Sequence, residues 1–226
     1  MQRSHERVIA HVEAALAAGD LRVGSRLPAE RVLAAELGVS RATVREGLRV
    51  LEAMGLVRIG VGSGPASGAV VTADTAAGLS AALRLHLAST ALPVRDVVRT
   101  RVVLESWSVR GAAAAGPSPA LDEAAELLAR SERRGIAPGE FYALDTEFHL
   151  ALTRAAGNAV VTAMMAALRG AIAGYVQREQ RQWTRLVGRL RTEHRAVLEA
   201  VTTGDAELAA RRVVAHIEGF YRQTLR

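Results

Sequence analysis

Cysteine and lysine are both missing from this chain of 226 residues, and aromatic side chains make up only 4% of it. Without cysteine, disulfides and thiolate metal sites are excluded, which fits a reducing compartment. The scarcity of aromatics leaves burial to Ala, Leu and Val, a set that suits closely packed helices better than sheets. Half of the residues are hydrophobic, enough for a substantial core. All 29 basic residues are arginine, which reads as the mark of a GC-rich genome rather than of function. No run of 18 apolar residues occurs, because Arg84 and His86 interrupt the most hydrophobic stretch, so no membrane span is expected. Glu6, His11 and Glu13 likewise break any apolar segment of a secretion signal, and the expected location is the cytoplasm. The net charge of +6 is spread along the whole chain and by itself points only weakly to nucleic acid.

What is present begins with a helical pattern over residues 3–18, with Val8, Val12, Ala15 and Leu16 on one side and Gly19-Asp20 as its stop. A loop leads to Pro28, which suits the first turn of a second, short helix because its missing N–H would have no partner there. Gly38 ends that helix, and Ser40 is the N-cap expected for a third, running to about Met54. Residues 55–59 read as a strand, the Gly/Ser-rich stretch 60–68 as a turn, and residues 69–72 as the partner strand.

Two short helices joined by a tight glycine-containing turn and followed by a hairpin form the pattern of a winged helix-turn-helix. In the third helix Val44, Leu48 and Leu51 make a buried stripe. Arg41, Arg45 and Arg49 repeat at i, i+4 and i+8 on another face, where a planar guanidinium fork can grip a guanine edge or a phosphate. Three arginines alone would describe any solvated helix face; the preceding helix, turn, cap and hairpin turn the balance to DNA.

The stretch from Leu21 through Pro28-Ala29-Glu30-Arg31 to Ser40-Arg41-Ala42-Thr43-Val44-Arg45-Glu46 resembles the signature of the GntR family of bacterial regulators. The resemblance is dense over residues 5–58. It implies that Arg31, Arg41, Thr43 and Arg45 contact double-stranded operator DNA, with Ser40 and Arg49 beside them. It also implies that a wing-tip glycine, Gly62 or Gly64, enters the minor groove. Two departures stand out: Gly47 replaces the usual alanine in mid-helix, a cost of roughly 1 kcal/mol on propensity alone, and the wing lacks the basic residue common there.

From about residue 76 onward the periodicity is helical throughout. Breaks at Pro93, 116–119, 135–139, 157–158, 180–183 and 204–205 divide it into about seven helices, an antiparallel bundle. The expected fold is therefore mainly α, with a winged helix-turn-helix over residues 1–73 and an all-helical domain over 74–226. In that second domain Asp145 and His149, at i and i+4, share one helix face. His194 sits beside Leu190, Val197, Leu198 and Val201, and His216 among Val213, Ile217 and Phe220. Four polar groups on apolar faces describe either hydrogen-bonded core residues or a divalent-metal site, and the pattern alone leaves both open.

Residues 76–223 also resemble the FadR-type C-terminal ligand domain, FCD, in the words around Phe148-His149-Leu150, Ala156-Gly157-Asn158, Glu193-His194-Arg195 and Gly204-Asp205. The additional helix at about 76–90 resembles the seven-helix FadR-like branch. The resemblance implies that Asp145, His149, His194 and His216 bind a metal such as zinc, nickel or manganese, with coordination positions left for a small carboxylate effector. Arg101 matches an arginine that can face the same cavity; an internal pair with Glu105 at i+4 is the equal alternative. Asn158 reads as a helix N-cap, and Trp107 and Trp183 as packing or interface residues.

The function these features point to is a homodimeric regulator, expected to repress, whose affinity for a pseudo-palindromic operator changes when a small organic acid binds. An acyl-CoA sensor of the same architecture is one alternative, disfavoured by four polar residues where an acyl chain needs an apolar tunnel. A metal-dependent hydrolase is the other, disfavoured by the lack of a positioned general base.

Overall fold

The computed structural model describes residues 5–60, 68–72, 74–89, 91–178 and 183–224, without the side chains of 175–185 and 223–224. These hold ten helices and one hairpin: α1 (Glu6–Ala18), α2 (Glu30–Leu37), α3 (Arg41–Ala53), β1 (Val57–Gly60), β2 (Gly68–Val71), α4 (Ala77–Ala88), α5 (Val94–Ala115), α6 (Pro119–Ser131), α7 (Pro138–Ala155), α8 (Ala159–Arg178), α9 (Trp183–Thr202) and α10 (Ala206–Thr224). The chain forms two compact units, residues 1–79 and 80–226. Among the described residues no helix is long and apolar enough to cross a membrane.

In the first unit the apolar stripes of the three helices meet: Val8 and Val12 of α1, Leu33 of α2, and Val44, Leu48 and Leu51 of α3 are all buried. Gly38 closes α2 in the left-handed region (φ 59°), and Ser40 Oγ caps α3 by accepting from the Thr43 N–H at 3.1 Å. The close approach of α1 explains Gly47. A Cβ at that position would lie 2.7 Å from Val8 Cβ, so the glycine is what lets the two helices touch. The antiparallel hairpin pairs Val57 with Val71 and Ile59 with Ala69. The wing tip, with Gly62 and Gly64, lies outside the described residues.

One detail differs from the sequence reading. Pro28 does not open α2, which starts at Glu30 after Ala29 in an extended conformation (ψ 146°). The preceding segment is not a free loop: Gly24 and Leu27 donate to the carbonyls of Val71 and Ala69, both at 2.9 Å, and Arg26 bridges Val70. Pairing with β2 keeps the chain extended through Pro28, as a residue before the cap must be.

The second unit is a helical bundle threaded by the 22-residue α5, which packs against α7, α8, α9 and α10. Phe141, Phe148, Leu152, Met165, Ile172, Leu190 and Ile217 are almost fully buried in one core. Ser118 caps α6 through the Leu121 N–H, and Asn158 Oδ1 accepts from Val160 and Val161 N–H at 3.0 and 3.1 Å, the capping role expected of it. Trp107 on α5 is half exposed; the Trp183 side chain lies outside the described residues.

Candidate functional site

The exposed face of α3 carries Arg41, Arg45 and Arg49, and Arg31 is exposed on α2. Ser40 Oγ and Thr43 Oγ1 lie 2.9 Å apart at the head of α3. Arg45 is already engaged: its Nε and Nη2 donate to the two carboxylate oxygens of Glu30, at 3.2 and 2.8 Å, and Arg41 stands 3.9 Å from the same carboxylate. The hydrogen bond from Arg45 holds Glu30 below the usual carboxylate range. Glu30 thus ties α2 to the recognition face and presets the Arg45 fork, a pairing across 15 residues that helical spacing does not reveal.

In the bundle, α7, α9 and α10 bring Asp145, His149, His194 and His216 together, with one ligand atom from each within 4.8 Å of all the others. His194 Nε2 is 3.2 Å from His216 Nε2 and 3.2 Å from Asp145 Oδ1, while His149 Nε2 is 3.8 Å from the same oxygen. Four donors bound to one ion at about 2.0–2.1 Å in a tetrahedron stand about 3.3 Å apart, close to the two shorter separations. The three imidazoles are buried, and neither ring nitrogen of His149 makes a well-aligned hydrogen bond among the described residues, Nδ1 lying against Glu105 and Nε2 facing the cluster. A buried orphan nitrogen is costly unless something else satisfies it. This donor set, two carboxylate-oriented imidazoles among it, fits a divalent cation.

The orientation comes from two carboxylates that sequence reasoning did not place at the site. Glu105 Oε2 of α5 lies 2.5 Å from His149 Nδ1, and Glu193 Oε2 of α9 lies 2.8 Å from His216 Nδ1. A proton held at Nδ1 leaves the Nε2 lone pair pointing to the cluster. Protonation agrees with this. Burial pushes His149 down to about 3 against the pull of Glu105, and burial with His194 nearby pushes His216 down as well. Burial would raise Asp145, but the guanidinium of Arg169 and the His194 hydrogen bond hold it well below the usual range. Neutral imidazoles beside an ionised carboxylate are the forms that ligate a metal.

Arg101 makes the internal pair with Glu105 and also lies on the cavity wall. It is buried, donates from Nε and Nη2 to Glu105 Oε1 at 3.0 and 2.7 Å, and lines the cavity beside the cluster. That cavity also meets Tyr142, Arg169, Leu190, Phe220 and Tyr221. Counted by where the centre of a water molecule can lie, its volume is about 20 Å³, room for one or two waters. Arg169 of α8 binds the Asp145 carboxylate and was not anticipated. A signal existed: it is the only charged residue between Arg154 and Arg178, in an otherwise apolar helix.

With the geometry in place, comparison with known proteins gives the class. Residues 4–65 match the model of bacterial regulatory proteins of the gntR family, and residues 96–219 match the FCD domain. The chain belongs to the GntR family of transcriptional regulators, in the group that joins a GntR helix-turn-helix to an FCD ligand-binding domain.

Among similar proteins is the putative L-lactate dehydrogenase operon regulatory protein of Escherichia coli K12, 29% identical over 96% of this chain and 84% of that one. The Glc operon transcriptional activator of the same organism is 33% identical over 69% of this chain and 62% of its own. The transcriptional regulator LutR of Bacillus subtilis 168 is 29% identical over 88% and 91%. These relatives are regulators, not enzymes. Among solved structures, Streptococcus agalactiae GntR shares the fold at a TM-score of 0.70 and 20% identity, over 97% of this chain and 99% of that one.

Proposed function

We propose that this protein is a homodimeric, metal-containing repressor that releases its operator when a short carboxylic acid binds in the FCD cavity. The observation that carries the reading is the buried cluster of Asp145, His149, His194 and His216 beside an arginine-lined cavity, in one chain with the arginine face of α3. Asp145, His149, His194 and His216 would hold zinc, nickel or manganese, and the ion would supply Lewis-acid positions for the effector's oxygens. Glu105 and Glu193 fix the imidazole tautomers, and Arg169 keeps Asp145 ionised. An acid is the effector class because the cavity wall carries two buried guanidinium groups. The names of the relatives point the same way: one is a regulator of an L-lactate dehydrogenase operon. An acyl chain needs an apolar tunnel, whereas Arg101, Asp145, His149, Arg169 and His216 line this cavity. A hydrolase reading gains nothing, since Glu105 and Glu193 are each already occupied by an imidazole Nδ1.

The DNA-contact set is Arg31, Ser40, Arg41, Thr43, Arg45, Arg49 and the wing residue Gly62. One recognition helix reads too few base pairs to be selective, so a pseudo-palindrome read by a two-fold dimer is required. The helical domain, residues 74–226, is the natural dimer contact, since α5 exposes Val103 (65%) and Trp107 (46%) one turn apart. The fold of α4 as an added helix supports placement in the FadR-like branch. The test is operator binding by the metal-loaded protein on DNA selected from random sequence, with and without L-lactate. Support requires a selected palindrome and at least a fivefold loss of affinity with the acid. Selection of no sequence, or equal affinity with every short acid tried, refutes it.

A further inference from the structure

The family resemblance gives the effector to Arg101, but the hydrogen bonds give it to other residues. Every nitrogen of the Arg101 guanidinium is committed: Nε and Nη2 to Glu105 Oε1, and Nη1 to the Tyr221 hydroxyl at 2.7 Å. Arg169 is just as buried, at 3% exposure, and is not saturated. Its Nη2 serves Asp145 and Thr146, while its Nε has no hydrogen-bond partner among the described residues. An unmatched donor on a buried cation carries a desolvation cost that an anion at the cavity wall would offset.

Tyr221 supplies a second donor by elimination. A guanidinium has no acceptor, so in the Arg101–Tyr221 bond the phenol oxygen accepts and the phenol proton remains to be given elsewhere. Tyr221 lines the same cavity as Arg169. Burial pushes the Tyr221 phenol up, so it keeps its proton at neutral pH.

We propose, building on the acid-sensing reading above, that Arg169 and the Tyr221 hydroxyl form the carboxylate seat of the effector. Arg101 is a positioning residue that aims Tyr221 rather than a ligand itself. The same cavity sets the chemical class. Leu190, Ile217 and Phe220 contribute apolar wall, so with one carboxylate on Arg169 and Tyr221 a second would be left without a partner unless it reached the metal ligands. As it stands the cavity admits only one or two waters, so its wall must give way to admit even acetate, and each further carbon requires a larger displacement. The effector is a monocarboxylate of two or three carbons.

The test is isothermal titration of the full-length, metal-loaded protein with acetate, L-lactate, succinate and hexanoate, with metal content measured for every variant. Wild-type protein is expected to bind L-lactate or acetate at least tenfold more tightly than succinate or hexanoate. Tyr221→Phe, which removes one hydroxyl and no charge, should retain its metal and weaken the short acid about fivefold to tenfold. Arg169→Gln should abolish acid binding; if it unfolds or loses metal through Asp145, Tyr221→Phe decides alone. Arg101→Lys should weaken the acid in the wild-type background and add nothing in the Tyr221→Phe background, a coupling that a merely structural arginine would not show.

Wild-type affinity in Tyr221→Phe, or in a metal-loaded Arg169→Gln, overturns the seat while leaving acid sensing standing. Tighter binding of succinate overturns the monocarboxylate class. If wild-type protein binds none of the four acids, the functional reading falls and the seat with it.

Discussion

At the residue scale, Arg45, the arginine proposed to read DNA, is already held by a carboxylate of its own chain. The Glu30 fork fixes Arg45 in advance, and it also cancels a charge on the face proposed to meet phosphate. The two effects pull apart. Arg45→Ala removes the base contact and should cost at least ~1–3 kcal/mol of operator affinity. Glu30→Gln keeps a hydrogen-bond acceptor for Arg45 but leaves the face one unit more positive. Binding to random DNA should rise and its salt dependence should steepen, while preference for the operator narrows. Fluorescence anisotropy on operator and scrambled duplexes over a salt series measures both. Unchanged preference in Glu30→Gln would mean that the pair does not shape recognition. Much at this scale was open to reading in advance. Asp145 and His149 share a helix face by spacing alone, and Arg41, Arg45 and Arg49 do the same. Glu105, Glu193 and Arg169 were not, because their roles depend on which helices become neighbours, and a sequence without its tertiary contacts does not contain that.

At the scale of the element, helix boundaries followed from local chemistry. Gly38, Ser40, Ser118 and Asn158 each stop or cap a helix where the type of residue demands it. The start of α2 did not follow, since pairing with β2 overrides the preference of Pro28 for a first turn. Gly47 shows the same limit with a sign change. Helix propensity counts it as a defect of roughly 1 kcal/mol against alanine. Packing counts it as a requirement, because the added methyl would meet Val8 Cβ at 2.7 Å, an atom next to the backbone that has no rotamer to escape into. Overpacking of this kind costs ~1–3 kcal/mol, so it should outweigh the propensity gain. Gly47→Ala should therefore lower the stability of the DNA-reading unit, and adding Val8→Ala should not recover the loss, because alanine keeps the Cβ that the new methyl would meet. Urea unfolding of the full chain followed by circular dichroism checks the pair. A stabilised single variant would show that α1 can move aside without cost.

At the scale of the whole molecule, two assembly steps remain to be tested, and they are separable. The dimer is expected to use the exposed α5 positions, so Val103→Glu with Trp107→Glu should sediment as a monomer at micromolar concentration, still hold metal, and bind operator far more weakly. The metal step concerns each chain alone. Asp145 and His149 lie on α7, His194 on α9 and His216 on α10, so one ion would fix three helices in a single arrangement. An ion that binds only this folded arrangement stabilises it by mass action, about 2.7 kcal/mol when present at a hundred times its dissociation constant. For a protein of this size that corresponds to a fall of roughly 5–10 °C in the melting temperature when the ion is removed. Chelation should produce that fall, and readdition of zinc, nickel or manganese should reverse it. His194→Ala with His216→Ala should melt near the chelated wild type, bind no ion, and be insensitive to chelator and to every acid. Because both substitutions lie in the helical unit, the first unit should keep its fold and its non-specific affinity for DNA. One equivalent of metal in that double variant, by elemental analysis after exhaustive dialysis, would place the ion elsewhere and take the effector switch with it.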